Sequence, residues 1–193
     1  MTILGDKAQT MEEEQQDVMK FLPKIFGRNI RKIYMNRSYR NTVEIAEYAN
    51  RLAGITDMEL FERHGEPVRE EDFISREKAL DAVLEGWLQA EDRLETAAVI
   101  LMTEKEAEKA SIYLMDRLED LAPEKTDRLF YLNRNSGKFQ KGLTVTTFYL
   151  AKGLEFDRVY GVFSEKDQSS LKTQAEYITA TRALHELFMY RIC

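Results

Sequence analysis

The segment Thr-Thr-Phe-Tyr-Leu-Ala-Lys-Gly-Leu-Glu-Phe-Asp at residues 146–157 is the most informative stretch of this chain. A strand-like run at 143–148 leads into it, its Lys-Gly pair permits a tight turn, and a second strand-like run follows at 158–163. A segment with an arginine signature, Tyr-Ile-Thr-Ala-Thr-Arg-Ala, occupies residues 177–183. Two long motifs in a fixed order are much more specific than a single glycine-containing turn.

Strand-like and helix-like patterns alternate along the whole chain. Besides the two runs above, strands are predicted at 32–36, 96–102, 129–132 and 187–192. Helices are predicted at 10–26, 41–54, 75–89, 103–121 and 170–187, the last carrying Arg182 and His185. The charged segment 57–73 is interrupted by Gly65 and Pro67 and is interpreted as a hairpin. This alternation predicts an α/β fold with a mostly parallel sheet flanked by helices.

Two further segments complete a set of four motifs. They are Ile-Leu-Gly-Asp-Lys-Ala-Gln at residues 3–9 and Asn-Arg-Ser-Tyr-Arg-Asn-Thr at residues 36–42. In chain order the four segments resemble motifs III, IV, V and VI of UvrD/Rep-type superfamily 1 helicases. The resemblance implies a RecA-like (P-loop NTPase-like) C-terminal motor domain over residues 1–193, with a small insertion at about 56–93 in place of a large inserted subdomain.

The sequence has no Walker A motif, G-x-x-x-x-G-K-[ST], to cradle phosphates. The nearest match, Gly137-Lys138, lacks the earlier glycine and is followed by Phe139. In the family that this chain resembles, ATP and Mg²⁺ are held by an N-terminal RecA-like domain that precedes motif III. We therefore expect the chain to be part of a longer ATP-dependent helicase and to be inactive alone. No Cys/His spacing predicts a metal site in the chain itself.

Two arginines are the candidate catalytic residues. The resemblance implies that Arg40 and Arg182 reach the γ-phosphate across a cleft between two motor domains. Arginine suits this role because it is always charged and binds phosphate oxygens bidentately. The alternative for Arg40 is a surface arginine before a helix, and for Arg182 a helical pair with Glu186.

The other nucleotide candidates are Gly153 and Glu155. The resemblance implies that Glu155 contacts the sugar of ATP and that Gly153 allows close backbone approach; the alternative for Glu155 is a solvated carboxylate. In motif III, Gly5, Asp6 and Gln9 would couple the nucleotide state to DNA, although a Gly-Asp pair is also common in ordinary turns.

Contacts to single-stranded DNA are expected near motif V, at Thr147, Tyr149 and Lys152. Hydroxyl and backbone contacts to phosphate position a strand without selecting its sequence. Thr147 could equally be an ordinary strand residue, and Tyr149 could stack on a base or pack against the sheet.

Two departures from the family pattern leave alternative functions open. Tyr149 replaces a histidine that many relatives have, and Lys7 replaces a common proline. With Tyr149 and a compact insertion, the chain resembles the HelD branch of helicase-like ATPases. The partner of that branch is bacterial RNA polymerase. A third interpretation is a nucleotide-free interaction domain with relic motifs.

Composition limits the partners. The net charge is −6, so any contact with single-stranded or duplex DNA must be local. No apolar run approaches the ~20 residues of a membrane span. The single cysteine, Cys193, and the absence of a basic flank in residues 1–4 favour a cytoplasmic protein.

Overall fold

The computed structural model of the protein describes residues 18–27, 33, 37–90, 93–136 and 140–193. Motif III, most of the strand predicted at 32–36 and the predicted helix start at Thr10 lie outside the described residues. The first described helix is α1 (Val18–Phe26), which contains Pro23.

Six parallel strands form the main sheet, in the spatial order β3-β8-β7-β4-β6-β5. Their bounds are β3 (Arg69–Phe73), β4 (Thr96–Leu101), β5 (Leu129–Tyr131), β6 (Gly142–Thr147), β7 (Phe156–Ser164) and β8 (Ala183–Ile192). Two short strands, β1 (Arg37–Ser38) and β2 (Glu59–Leu60), form a separate parallel pair. The predicted α/β fold with a parallel sheet flanked by helices is confirmed.

Helices cover both faces of the sheet and divide the core into two layers. They are α2 (Val43–Ala53), α3 (Arg76–Ala90), α4 (Glu104–Leu121) and α5 (Lys172–Ala180), with a 3₁₀ helix at Pro123–Arg128. In β4, Val99 and Leu101 pack in the layer under α3 and α4, whereas Ala98 and Ile100 pack in the layer under α2 and α5. Alternate residues thus fill opposite layers, as a strand buried on both faces requires.

Helix ends follow their local sequence signals in two places. Thr103 and Glu106 form a capping box at the start of α4, the helix predicted from residue 103. Gly54 ends α2 with a φ of 64°, a left-handed conformation that glycine adopts without strain.

Three local predictions were wrong. Residues 57–73 do not form a hairpin: β2 pairs with β1, and β3 joins the main sheet beside β8. The predicted helix 170–187 ends at Ala180, and β8 begins at Ala183, so Arg182 lies in the turn between them. The helix predicted to begin at residue 41 begins at Val43, and Thr42 occupies its N-cap position. Among the described residues, no helix is both long and apolar enough to cross a bilayer.

Candidate functional site

Three of the four motifs meet at one edge of the sheet, where β7 and β8 begin. The backbone N–H of Phe156 donates to the carbonyl of Arg182 at 3.0 Å, which joins motif V to motif VI. The side-chain amide of Asn41 donates to the carbonyl of Ala183 at 2.6 Å, which joins motif IV to motif VI. Residues far apart in the sequence therefore form one continuous surface.

Arg40 and Glu155 contact each other at this surface. Nε of Arg40 lies 2.5 Å from Oε1 of Glu155, and the two side chains are 44% and 41% exposed. Tyr39 beside them is also exposed, and its ring centroid lies 5.6 Å from that of Phe61. Charged groups of both signs and an aromatic face are thus available to a ligand at one place.

Arg182 lies behind that surface rather than on it. Its side chain is only 2% exposed. Nε donates to the carbonyl of Ile178 at 3.2 Å, Nη1 to that of Leu154 at 3.2 Å, and Nη2 to Oγ1 of Thr181 at 3.0 Å. In this conformation the guanidinium supports the Leu154–Glu155 turn from within the domain.

The alternative pairing of Arg182 with Glu186 is wrong, because both residues lie outside a helix. Glu186 lies on β8, and its Oε2 accepts a 2.7 Å hydrogen bond from Nε of the buried Arg158. His185, predicted on a helix surface, is a β8 residue whose Nε2 lies 3.8 Å from Oδ1 of Asp157.

The turn of motif V is fixed at both sides of Glu155. Gly153 has a φ of 90°, a left-handed conformation that strains other residues, and nothing described lies within 4 Å of a Cβ added there. After the turn, Oδ2 of Asp157 accepts hydrogen bonds from the N–H groups of Glu95 and Thr96 at 3.0 and 2.9 Å. Asp157 therefore ties the end of motif V to the start of β4.

Sequence reasoning missed three residues that hold this site. Asn41 follows Arg40 directly and Asp157 lies two residues after Glu155, so their places within motifs IV and V were a usable signal. Arg63 lies in a segment without any motif, yet Nη2 donates to the carbonyl of Arg40 and, at 2.8 Å, to that of Leu184. No local pattern indicates this long-range contact.

The candidate DNA residues lie where the chain leaves β6. Thr147 is buried, and Lys152 is exposed. The ring of Tyr149 is partly buried and packs edge-on against Phe148, with centroids 5.4 Å apart. Burial raises the pKa of Tyr149, so its hydroxyl is neutral at physiological pH.

An exposed arginine also contacts the ring of Tyr149. The guanidinium carbon of Arg134 lies 5.9 Å from the centroid of the Tyr149 ring, and its Nε lies 2.8 Å from Oε1 of Glu104. The charge of Glu104 raises the pKa of Arg134. Tyr149 therefore packs partly against the core of the domain and also contacts a cation, whereas stacking on a base stays a prediction.

One group of potential metal ligands occurs among the described residues, and it is remote from this surface. Asp72, Glu165 and Cys193 are exposed and lie at the carboxyl ends of β3, β7 and β8, whereas Arg40 and Glu155 lie near the amino ends of β7 and β8.

Comparison with known proteins supports the fold and links the chain to one possible DNA helicase. No protein-family model and no curated protein matches the sequence. Among solved structures, the chain is similar to the C-terminal domain of a possible DNA helicase from Lactobacillus plantarum WCFS1. The TM-score is 0.62 at 25% sequence identity, over 80% of this chain and 88% of that one. The chain is thus similar in fold, over most of its length, to the C-terminal domain of a possible DNA helicase.

Proposed function

We propose that this chain is the C-terminal motor domain of an ATP-dependent superfamily 1 DNA helicase or translocase of the UvrD/Rep type. One observation carries the proposal: Arg40, Glu155 and the turn held by Arg182 come together at the amino edge of β7 and β8, although they belong to three separated motifs. The solved relative, itself the C-terminal domain of a possible DNA helicase, supports the same class.

In this proposal the site is one wall of a nucleotide cleft. A RecA-like domain N-terminal to this chain would hold ATP and Mg²⁺, and this chain would complete the site. Arg40 is the group best placed to meet negative charge that develops on γ-phosphate oxygens, because its guanidinium is exposed in part and always charged. Glu155 would accept hydrogen bonds from the sugar hydroxyls, and Gly153 would let the backbone approach the ligand.

Arg182 would have two roles at this site. In the present conformation it positions Glu155 by donating to the carbonyl of Leu154. A direct contact with the γ-phosphate, as the family resemblance implies, would require the guanidinium to leave that carbonyl when the two motor domains close.

The nucleic-acid partner would contact the chain locally. Lys152, Tyr149 and Thr147 lie in or beside motif V, and a net charge of −6 opposes binding over the rest of the surface. Lys152 would contact phosphate, and the Tyr149 ring would offer a face for a base if Arg134 moved aside.

A second candidate function rests on the short connection between α2 and β3. Only residues 54–68 join them, which supports a HelD-like ATPase acting on RNA polymerase over an enzyme with a large duplex-binding insertion at this point. Retention of RNA polymerase by the longer protein, without DNA-stimulated ATP hydrolysis, would favour this candidate.

The proposal is tested by comparing this chain with the longer protein. Purified alone, the 193-residue chain should not hydrolyse ATP, whereas the longer protein should do so and be stimulated by single-stranded DNA. ATP turnover by the isolated chain, free of contaminating ATPase, would contradict the proposal.

A further inference from the structure

A short strap, residues 59–65, covers the segment that carries Arg40. At its start, Glu59 and Leu60 pair with Arg37 and Ser38 in the parallel β1–β2 ladder. The next strap residue, Phe61, places its ring 5.6 Å from that of Tyr39. Residues 59–61 of the strap therefore lie beside residues 37–39, the three residues that precede Arg40.

Arg63 contacts the backbone at both ends of the segment from Arg40 to Val43. Its backbone carbonyl accepts a hydrogen bond from the N–H of Val43 at 2.9 Å. Its Nη2 donates to the backbone carbonyl of Arg40, and the same nitrogen donates to the carbonyl of Leu184 at 2.8 Å. One guanidinium thus joins the motif IV turn to the strand that follows Arg182.

The end of the strap is held just as closely. The N–H of Gly65 donates to Oε2 of Glu44 at 2.9 Å, and Nδ1 of His64 lies 2.9 Å from Oε1 of the same carboxylate. A Cβ added at Gly65 would lie 2.6 Å from Cγ2 of Thr42, so a glycine is needed for the strap to lie this near. Burial alone would raise the pKa of Glu44, but these hydrogen bonds and that of its own backbone N–H lower it to about 2.

We propose that Arg63 is the positioning residue for Arg40, and that the strap sets the distance between the motif IV arginine and the start of β8. The inference rests on the function proposed above, and it assigns a role to a segment outside every motif. The side chain of Arg40 is 44% exposed, so packing does little to fix its direction. Its direction therefore depends on the ion pair with Glu155 and on the position of its own backbone, whose carbonyl accepts a hydrogen bond from Arg63.

Two measurements separate positioning from plain stabilisation. In the longer protein, Arg63→Ala should lower kcat for ATP hydrolysis roughly tenfold or more with little change in KM, since small misplacements of a reacting group are costly. In an Arg40→Ala background the same change should have almost no further effect, because a positioning residue acts through the residue it positions. Arg63→Lys, which can still reach one carbonyl, should recover part of the loss.

The second measurement needs no activity. In the 193-residue chain, the side-chain Nε–H signal of Arg40 should shift and exchange faster with solvent in Arg63→Ala, while amides of β4 and β7 keep their protection. Arg117→Ala is the matched control, because Arg117 pairs with Asp81 on the opposite helical layer. It should leave both kcat and the Arg40 signal unchanged.

The outcomes distinguish the two proposals. An unchanged Arg40 signal in Arg63→Ala, or equal losses of kcat in the presence and absence of Arg40, would overturn the role of Arg63. Normal turnover in Arg40→Ala would instead overturn the proposed function of the site, and the Arg40 signal would still decide whether Arg63 positions it.

Discussion

Arg40 and Glu155 form an ion pair, with Nε of the arginine 2.5 Å from Oε1 of the glutamate, between two turns that belong to different motifs. Both side chains are more than a third exposed, so water screens the pair and it adds little to stability. Its importance lies in placing two ligand-competent groups of opposite charge side by side.

Glu155→Ala tests the carboxylate of this pair. The unfolding free energy should change by less than about 1 kcal/mol, as for other exposed ion pairs. In the longer protein KM for ATP should rise roughly tenfold or more, because a hydrogen bond to a charged group contributes about 1.5–3 kcal/mol. Glu119→Ala, at an exposed position of α4, is the control. Equal KM values in the two variants would show that Glu155 does not contact the nucleotide.

Arg182→Ala should destabilise the isolated chain. The change removes donors from two backbone carbonyls and a hydroxyl in a site that is 2% exposed. We expect a loss of about 2–4 kcal/mol in unfolding free energy, measured by urea denaturation. Arg191→Ala removes an exposed pair with Asp72 and should cost less than about 1 kcal/mol. If the two variants were equally stable, the buried role of Arg182 would be refuted.

The Glu44 carboxylate predicts a pH dependence of stability. Its pKa is about 2 in the folded chain against an ordinary value of 4.5, so the ionised form stabilises the fold at neutral pH. This contribution should begin to fall below pH 4.5 and be absent below about pH 2.

Unfolding free energies of the wild type and Glu44→Gln should therefore differ at pH 7 and converge as the pH falls through that window. Glu47→Gln, at an exposed position of the same helix, should show the same pH dependence of unfolding free energy as the wild type. A difference in unfolding free energy between the wild type and Glu44→Gln that stays constant from pH 7 to pH 2 would contradict the stabilising role of the ionised Glu44 carboxylate.

Binding of single-stranded DNA by the isolated chain should be weak and should fall steeply with salt. Lys152→Ala should reduce the slope of log affinity against log salt by about one, as the loss of one phosphate contact does. Lys105→Ala, at an exposed position of α4, should leave that slope unchanged. Tight binding that salt does not weaken would count against the proposed contact.

The central part of the fold could be predicted from the sequence because its signals are local. The apolar run of β4 is buried on both faces, and the Thr103–Glu106 capping box marks the start of α4. Motif IV likewise indicated Arg40 and motif V indicated Glu155, and the structure brings these two residues into contact at one edge of the sheet.

The rest depended on contacts that no local pattern encodes. Residues 183–187, Ala-Leu-His-Glu-Leu, favour a helix, but pairing with β7 makes them a strand. The sequence Arg-Glu-Glu-Asp-Phe of β3 has only one apolar residue, and its strand exists through hydrogen bonds to β8. Because α5 ends at Ala180, Arg182 enters a turn and its guanidinium is buried, which the motif alone did not reveal.

The most direct test of the account is ATP turnover by the longer protein carrying Arg40→Ala, with Arg191→Ala as the control. Arg40 should meet charge that develops during phosphoryl transfer, so its loss should lower kcat by roughly a thousandfold or more while ATP binding falls less. Arg191 lies at the other end of the sheet and pairs with Asp72, so its variant should keep wild-type turnover. If Arg40→Ala hydrolysed ATP as fast as Arg191→Ala, the assignment of this site to a helicase motor would be contradicted.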